Sequence, residues 1–358
     1  MPATTQRLGQ GERAPDFVLP CQDGTSTRFY AKAGGRPAAL LFYDTDAVAE
    51  LLHFAAALND VSAGTVALFA VTCDDSTMNP PVSGGREDLF PIFADTQGKV
   101  RAAYRLESTD KTTLFVLDPN LRVLASLSLQ DAGSTARQVM ALLNASLPQV
   151  DPLEITSQAP VLLIPNVLDP ESCQALIKVW ETQGNVATGV EQSRQDRRED
   201  TISPDIKRRR DHTVMDKELL RHLSSTIGRR VMPEVYKAFV FRATRFEGFK
   251  IACYDATTGG FFRAHRDNLS PATAHRRFAL SLNLNTGYEG GLLRFPEYGP
   301  HVYPLDAGSA LVFSCSHLHE VTEMTQGRRF ALLSFLFGEG DVRTSRVPSK
   351  DGSSTPQQ

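Results

Sequence analysis

The stretch ACYDATTGGFFRAHRDN, residues 252–268, holds two residues of the types a metal site needs: His265 and Asp267, two apart behind a glycine pair and two phenylalanines. One imidazole, one carboxylate and a second histidine on one face of a ferrous ion leave three positions for co-substrate and O2. A His-x-Asp pair also arises by chance in surface turns, so its meaning depends on a third ligand. The segment SHLHEV offers His317 and His319, which alternate onto the same side of a strand. The HEV context and the ten-residue spacing to Arg329 favour His319. A guanidinium at Arg329 can grip a carboxylate through two parallel hydrogen bonds. Arg328 competes, but adjacent strand residues face opposite ways, so only one of the two enters a barrel and the other meets solvent. Tyr254 could offer a hydroxyl to the other end of the same ligand. His275 and His301 read as exposed polar residues.

Such groups must be brought together by strands. ALSLNLN, GLLRF, HVYPLD, SALVFS and FALLSFLF are strand-like and separated by Gly- and Pro-containing turns, as a jelly roll requires. Gly290 and Gly291 suit a tight turn or a close backbone approach beside the pocket. Upstream, Asp169-Pro170-Glu171 starts a helix with Asp at the N-cap and Pro at the first position. Residues 190–211 are almost all polar; interleaved acids and bases without aromatics predict a solvated loop, not a nucleic-acid patch. By position, that loop and Arg294 form the expected substrate wall, with Arg263 and Asn268 as further candidate contacts. Arg263 and Arg294 suit an anionic or carbonyl-rich substrate, and surface ion pairs explain them equally well.

The first 150 residues have a different rhythm. PAALLFYD, TVALFAVTC and TTLFVLDP read as buried strands, alternating with the amphipathic helices DAVAELLHFAAALND and STARQVMALLNASL. That alternation implies an α/β layer fold. The expected organisation is therefore a first domain at 1–150, a proline-rich linker at 151–157, a second domain at 158–339 and a disordered tail at 340–358. A net charge of −3 gives no general attraction to nucleic acid or anionic lipid. No apolar run approaches a membrane span and the N-terminus lacks a secretory h-region, so no membrane association is expected. Five scattered cysteines without a CxxC argue against a disulfide framework or thiolate zinc site and fit a reducing cytoplasm.

APDFVLPCQDGTSTRFYAKAGGRPAALLFYD, FPIFADTQGKVRAAYRL and LFVLDPNLRVLASL resemble segments of the peroxiredoxins, across roughly residues 8–148. The resemblance implies a thioredoxin-like fold. It also places the family's reactive cysteine at about Leu51, in FYDTDAVAEL, so no nucleophile is expected there. Cys73 lies outside that position. The roles open to such a domain are scaffolding, substrate presentation and homodimer formation.

In the second domain ACYDATTGGFFRAHRDN, LNLN…YEGGLLRFPE and LHEVTEMTQGRRFAL, in that order, resemble the prolyl-4-hydroxylase-like group of 2-oxoglutarate- and Fe(II)-dependent dioxygenases, over about residues 158–338. The resemblance implies a double-stranded β-helix with N-terminal helices. It implies His265, Asp267 and His319 as iron ligands, Arg329 at the C5 carboxylate of 2-oxoglutarate, and Tyr254 facing the co-substrate. Members with a second tyrosine on the LSLNLN strand have no counterpart here, where Leu282 or Asn283 stands. The implied activity is hydroxylation of an unactivated C–H bond in an amino-acid, peptidyl (prolyl among them) or small-molecule substrate. It consumes O2, releases succinate and CO2, and has ascorbate as a candidate accessory reductant. Asp267 favours hydroxylation, since related halogenases carry a small residue there. Two other readings stay open: a non-catalytic scaffold of two degenerate domains, and a thiol peroxidase using Cys73.

Overall fold

The computed structural model describes residues 7–341 apart from 23, 79–89, 148–150, 153, 195–196 and 202. The chain divides into two compact units between Leu153 and Glu154.

In the first unit, five strands form one sheet in the order Ile92–Ala94, Ala67–Thr72, Ala38–Tyr43, Thr112–Leu117, Val123–Ser128. The first three run parallel and the last two antiparallel to their neighbours. The central strand is buried along its whole length because both faces are covered. Leu40 and Phe42 enter one core and Leu41 and Tyr43 the other, the two-residue alternation of a strand. The helices Val48–Ser62 and Ala132–Ser146 close the second face through Leu51, Phe54, Leu58, Val139 and Leu143. Leu51, where the resemblance puts a reactive thiol, is fully buried core.

In the second unit, a large sheet runs in the order Leu162–Ile164, Ala310–Ser314, Phe278–Asn283, Arg328–Phe337, Lys250–Asp255, Arg210–Thr213, Val186–Ala187, with Arg245–Phe246 beside Arg328–Phe337. A small sheet runs Lys207–Arg208, Phe261–His265, His319–Val321, Leu293–Arg294, Val302–Tyr303. Alternation again decides which side chains go where. Leu280 and Leu282 point out into a core with Leu176 and Trp180 of the helix Pro170–Thr182 and Ile227 and Val231 of Lys217–Phe239. Ala279 points into the space between the sheets, with Leu293, Phe295 and Phe313. The Pro170 helix starts as its sequence predicts, the Asp169 side chain accepting from the Ser172 amide at 2.7 Å.

Two expectations are corrected here. Residues 190–211 are not one loop: Val190–Arg194 pairs antiparallel with Arg197–Thr201, and Lys207–Arg208 and Arg210–Thr213 join the small and large sheets. Polar side chains do not prevent this, because the ladder uses backbone groups, and Asp211 is buried with its charge compensated by Arg209. The second correction is at the tail. Asp341 accepts from Arg277 Nε at 2.8 Å and from the Gly338 amide at 2.8 Å, so ordered structure continues past residue 339. The rest of the expected tail, 342–358, lies outside the described residues. Among the described residues no helix is long and apolar enough to cross a membrane.

All five cysteines carry free thiols, and only Cys73 is exposed. Burial raises the Cys173 thiol to about 11 and the Cys253 thiol to about 12. Cys73 is also pushed up, by partial burial and by the Asp95 carboxylate, the opposite of an activated thiolate. A thiol-specific chromogenic reagent at pH 8 should therefore modify one cysteine per native chain, and none rapidly in Cys73→Ser. Fast modification of two or more would contradict this packing.

Candidate functional site: a His-Asp-His cluster beside a buried arginine

His265 ends a strand of the small sheet, and its cross-strand partner is His319. The register shifts between Phe262 and His265, and such an irregularity re-aims the side chains beyond it. Asp267 follows in the loop, held by its amide donating to Cys315 O at 3.0 Å and by Arg276 donating to its carbonyl at 3.3 Å. The two rings stand 4.2 Å apart. His265 Nε2 lies 3.5 Å from Asp267 Oδ1, and His319 Nε2 lies 3.4 Å from Oδ2. One ligand atom from each of the three lies within 4.8 Å of the others. Two atoms bound at right angles to an ion ~2.1 Å away are ~3 Å apart, so this set needs little adjustment to hold one.

The tautomers are set by the backbone. His265 Nδ1 meets the Arg263 carbonyl at 2.7 Å and His319 Nδ1 meets the His317 carbonyl at 3.0 Å. A carbonyl only accepts, so each Nδ1 carries a proton, and the nitrogen left to ligate from the cluster side is Nε2 in each ring. Burial pushes His319 down to about 4, against the pull of Asp267, so it is neutral at pH 7 as a metal ligand must be. Burial alone would raise Asp267, but His319, His265 and Arg276 outweigh it and hold the carboxyl below its usual range.

The cluster opens into a cavity of about 980 Å³ whose lining includes Tyr254, Phe262, Ser281, Phe313 and Arg329. Arg329 is 3% exposed and donates only to neutral oxygens: Gly291 O at 2.8 Å, Asn283 Oδ1 at 3.3 Å and Ser281 Oγ at 3.3 Å. Among the described residues no carboxylate pairs with it. Arg328 faces the other way and pairs with Glu181 at 3.4 Å. Tyr254 is the cross-strand partner of Arg329, so the two project side by side into the cavity. Asn283 lies under Arg329 while Leu282 joins the outer core, and Tyr288, from beyond that strand, donates to Asn283 Oδ1 at 3.0 Å.

The remaining sequence candidates sit elsewhere. His317 packs on Tyr298, ring centroids 5.3 Å apart, outside the three-residue cluster. Arg263 stacks on Phe261 at 4.3 Å, Asn268 donates to Ser316 Oγ at 2.9 Å, and Arg294 pairs with Glu320; none of the three lines the cavity. His275 pairs with Glu247 at 2.9 Å. Lys207, Arg209 and Arg276 do line the cavity, and sequence reasoning missed them. The available signal was KRRRD itself, where alternate residues of a strand could turn inward, but its charge argued for solvent.

Residues 249–337 match the model of the 2OG-Fe(II) oxygenase superfamily, and residues 10–126 match that of the AhpC/TSA family. Part of the second unit is thus similar to the 2OG-Fe(II) oxygenase superfamily, and most of the first to the AhpC/TSA family. A PKHD-type hydroxylase of Psychrobacter sp. (strain PRwf-1) is 27% identical over 115 residues, 32% of this chain and 41% of that one. The chain thus spans less than half the length of this curated relative. Similar solved structures include a prolyl hydroxylase from Trichoplax adhaerens, in complex with a hypoxia inducible factor peptide fragment (18% identity, TM-score 0.43, 53% of this chain and 89% of that one). A peroxidoxin from Mycobacterium tuberculosis is similar too (24% identity, TM-score 0.34, 39% of this chain and 99% of that one).

Second-sphere partners of metal ligands are each worth about 10–100-fold in affinity, so loss of a ligand should cost about 100-fold or more. His265→Ala, Asp267→Ala and His319→Ala should each do so in anaerobic Fe(II) titration against a competing chelator. Arg263→Ala and Arg294→Ala should stay within about threefold of wild type. Gly291, at φ +62, has no room for a Cβ beside Met324, and its carbonyl accepts from Arg329 Nη1 at 2.8 Å. Gly291→Ala should therefore strain the backbone that holds this carbonyl and weaken 2-oxoglutarate binding by roughly tenfold, as loss of a hydrogen bond to a charged group does. Calorimetry would read that loss, with Fe(II) affinity retained.

Proposed function

We propose that the chain is a 2-oxoglutarate- and Fe(II)-dependent hydroxylase. The observation carrying this reading is Arg329: a buried cation with only neutral partners, on the wall of the cavity that holds two imidazoles and a carboxylate. A buried charge is stable only when compensated, and an anion entering the cavity completes the compensation. Iron, 2-oxoglutarate and O2 together supply oxidative decarboxylation to succinate and CO2 coupled to hydroxylation of a C–H bond.

The protein's own part is placement. His265 and His319 present their Nε2 lone pairs, and Asp267 contributes the negative charge that favours a dication. Gly291 O, Asn283 and Ser281 fix the Arg329 plane so that it can take a carboxylate in two-point fashion. Phe313 packs on His319 at 4.6 Å and Phe262 on His265 at 3.5 Å, limiting water around the ligands. The cavity is larger than a five-carbon diacid, leaving room for a substrate; Met215 and Leu269 stand exposed on its lining. That supports an amino-acid, peptidyl or small-molecule substrate, with prolyl among the choices and ascorbate as accessory reductant. Nucleic acid and membrane are not among the partners proposed. A cytoplasmic location belongs to the same proposal, since five free thiols suit a reducing compartment. The first unit is proposed as a docking or dimerising module.

Anaerobic addition of 2-oxoglutarate to the Fe(II) protein should produce a weak visible charge-transfer band. Admission of O2 should then yield succinate even without substrate, and Arg329→Gln should lower both signals at least tenfold. A wild-type protein with neither band nor succinate would leave the scaffold reading in place.

A further inference from the structure

Residues 207–213 pass from one sheet to the other. Lys207 and Arg208 pair with Phe262 and Phe261 beside the His265 strand end, whereas Arg210 to Thr213 pair with Cys253 to Lys250 on the Tyr254 strand. Arg209 is the crossing residue and belongs to neither ladder. Its side chain is 9% exposed and grips Asp211 at two points, Nε to Oδ1 at 2.7 Å and Nη2 to Oδ2 at 2.6 Å. Asp211 Oδ2 also accepts from Thr188 Oγ1 at 2.9 Å. The remaining guanidinium nitrogen, Nη1, donates to the Tyr254 hydroxyl at 3.2 Å.

A guanidinium has donors only, so in this bond the phenol oxygen must accept. The phenol proton is then left to be donated elsewhere. Tyr254 is 2% exposed and lines the cavity, and among the described residues no acceptor faces that proton. A buried donor without an acceptor is costly. Its neighbour in the cavity wall is Arg329, directly across the ladder. Both groups therefore offer protons to the same space, one of them aimed by Arg209.

Resting on the function proposed above, we infer that Arg209 is a positioning residue: held by Asp211, it occupies the acceptor side of the Tyr254 hydroxyl and directs that proton to a carboxylate oxygen of bound 2-oxoglutarate. The competing explanation is structural, because Arg209 also lies 5.9 Å from the Phe262 ring, which stacks on His265. A structural role would disturb the metal ligands; the positioning role would not.

Calorimetric titration of 2-oxoglutarate into the full chain loaded with Mn(II) separates these without turnover. Tyr254→Phe should weaken binding about tenfold, and so should Arg209→Gln combined with Asp211→Asn, which leaves no carboxylate buried alone. Combined with Tyr254→Phe, the paired change should add less than about twofold, because a coupled pair is not additive. Mn(II) affinity should hold within about twofold throughout, and with iron the KM for 2-oxoglutarate should rise while kcat stays nearly level. Arg209→Lys keeps a cation beside Asp211 but lacks the planar fork, and should show the same loss if the paired variant misfolds. Additive losses, no loss, or a proportional loss of Mn(II) affinity would overturn the inference. Binding that is absent in wild type, or indifferent to Arg329→Gln, would overturn the proposed function and this inference with it. Dependence on Arg329 without coupling between Arg209 and Tyr254 would remove the inference alone.

Discussion

A guanidinium taken out of water must find compensation, and that constraint shapes the second unit. Arg329 sits on the longest strand of the large sheet, Arg328–Phe337, with partners that supply dipoles but no charge. Those dipoles lower the cost of burying it without removing the need for an anion. The surrounding sequence serves the same end. Gly291, at φ +62 and where a Cβ would meet Met324, brings its carbonyl against the guanidinium, and Asn283 turns inward where Leu280 and Leu282 turn outward. On the proposed function the site is thus preformed for the carboxylate of 2-oxoglutarate, which reduces the ordering cost of binding.

The two histidines and the arginine belong to different sheets, and their spacing depends on how the sheets are joined. His265 and His319 face each other across the small sheet, while Tyr254 and Arg329 face each other across the large one. Two cross-strand pairs fix two pairs of side chains, but neither ladder fixes one pair against the other. The 207–213 segment bridges them by pairing with both sheets in seven residues, and its buried Arg209–Asp211 pair locks the crossing. Because a buried ion pair is expensive, hydrophobic residues would serve simple stability as well. Retaining charges at that point fits a role in geometry.

Residues that alternate or repeat were legible in the sequence. The apolar strands of both units and the Asp169 cap announce themselves by period or by capping chemistry, and His265, Asp267, His319 and Arg329 by their types together with the resemblance; the polar strands between residues 190 and 213 did not. Arg209 and Asp211 were hidden for a physical reason: charge is normally a mark of solvent, and only the three-dimensional pairing of one with the other lets both be buried. Arg263, Asn268 and Arg294 show the converse. Their types suit a substrate contact, but their side chains meet Phe261, Ser316 and Glu320, and none of the three lines the cavity. Nearness in sequence to a metal ligand does not determine the face on which a side chain emerges.

The two units also show how separable a fold is from its chemistry. In the first, the sheet and both its cores are intact, yet the position at which its relatives' thiol is expected holds Leu51, packed with Phe54 and Leu58. A thiolate there would need an exposed, electropositive helix end; a leucine needs the opposite, and the helix buries it. In the second unit the same substitution logic fails. Replacing Arg329 or Asp267 by an apolar residue would relieve the burial of charge, so a scaffold free of chemical duty would be stabilised by losing them. That Arg329 stays buried and Asp267 half-buried, aimed into one cavity beside two imidazoles, fits the hydroxylase proposed for this half of the chain better than a scaffold.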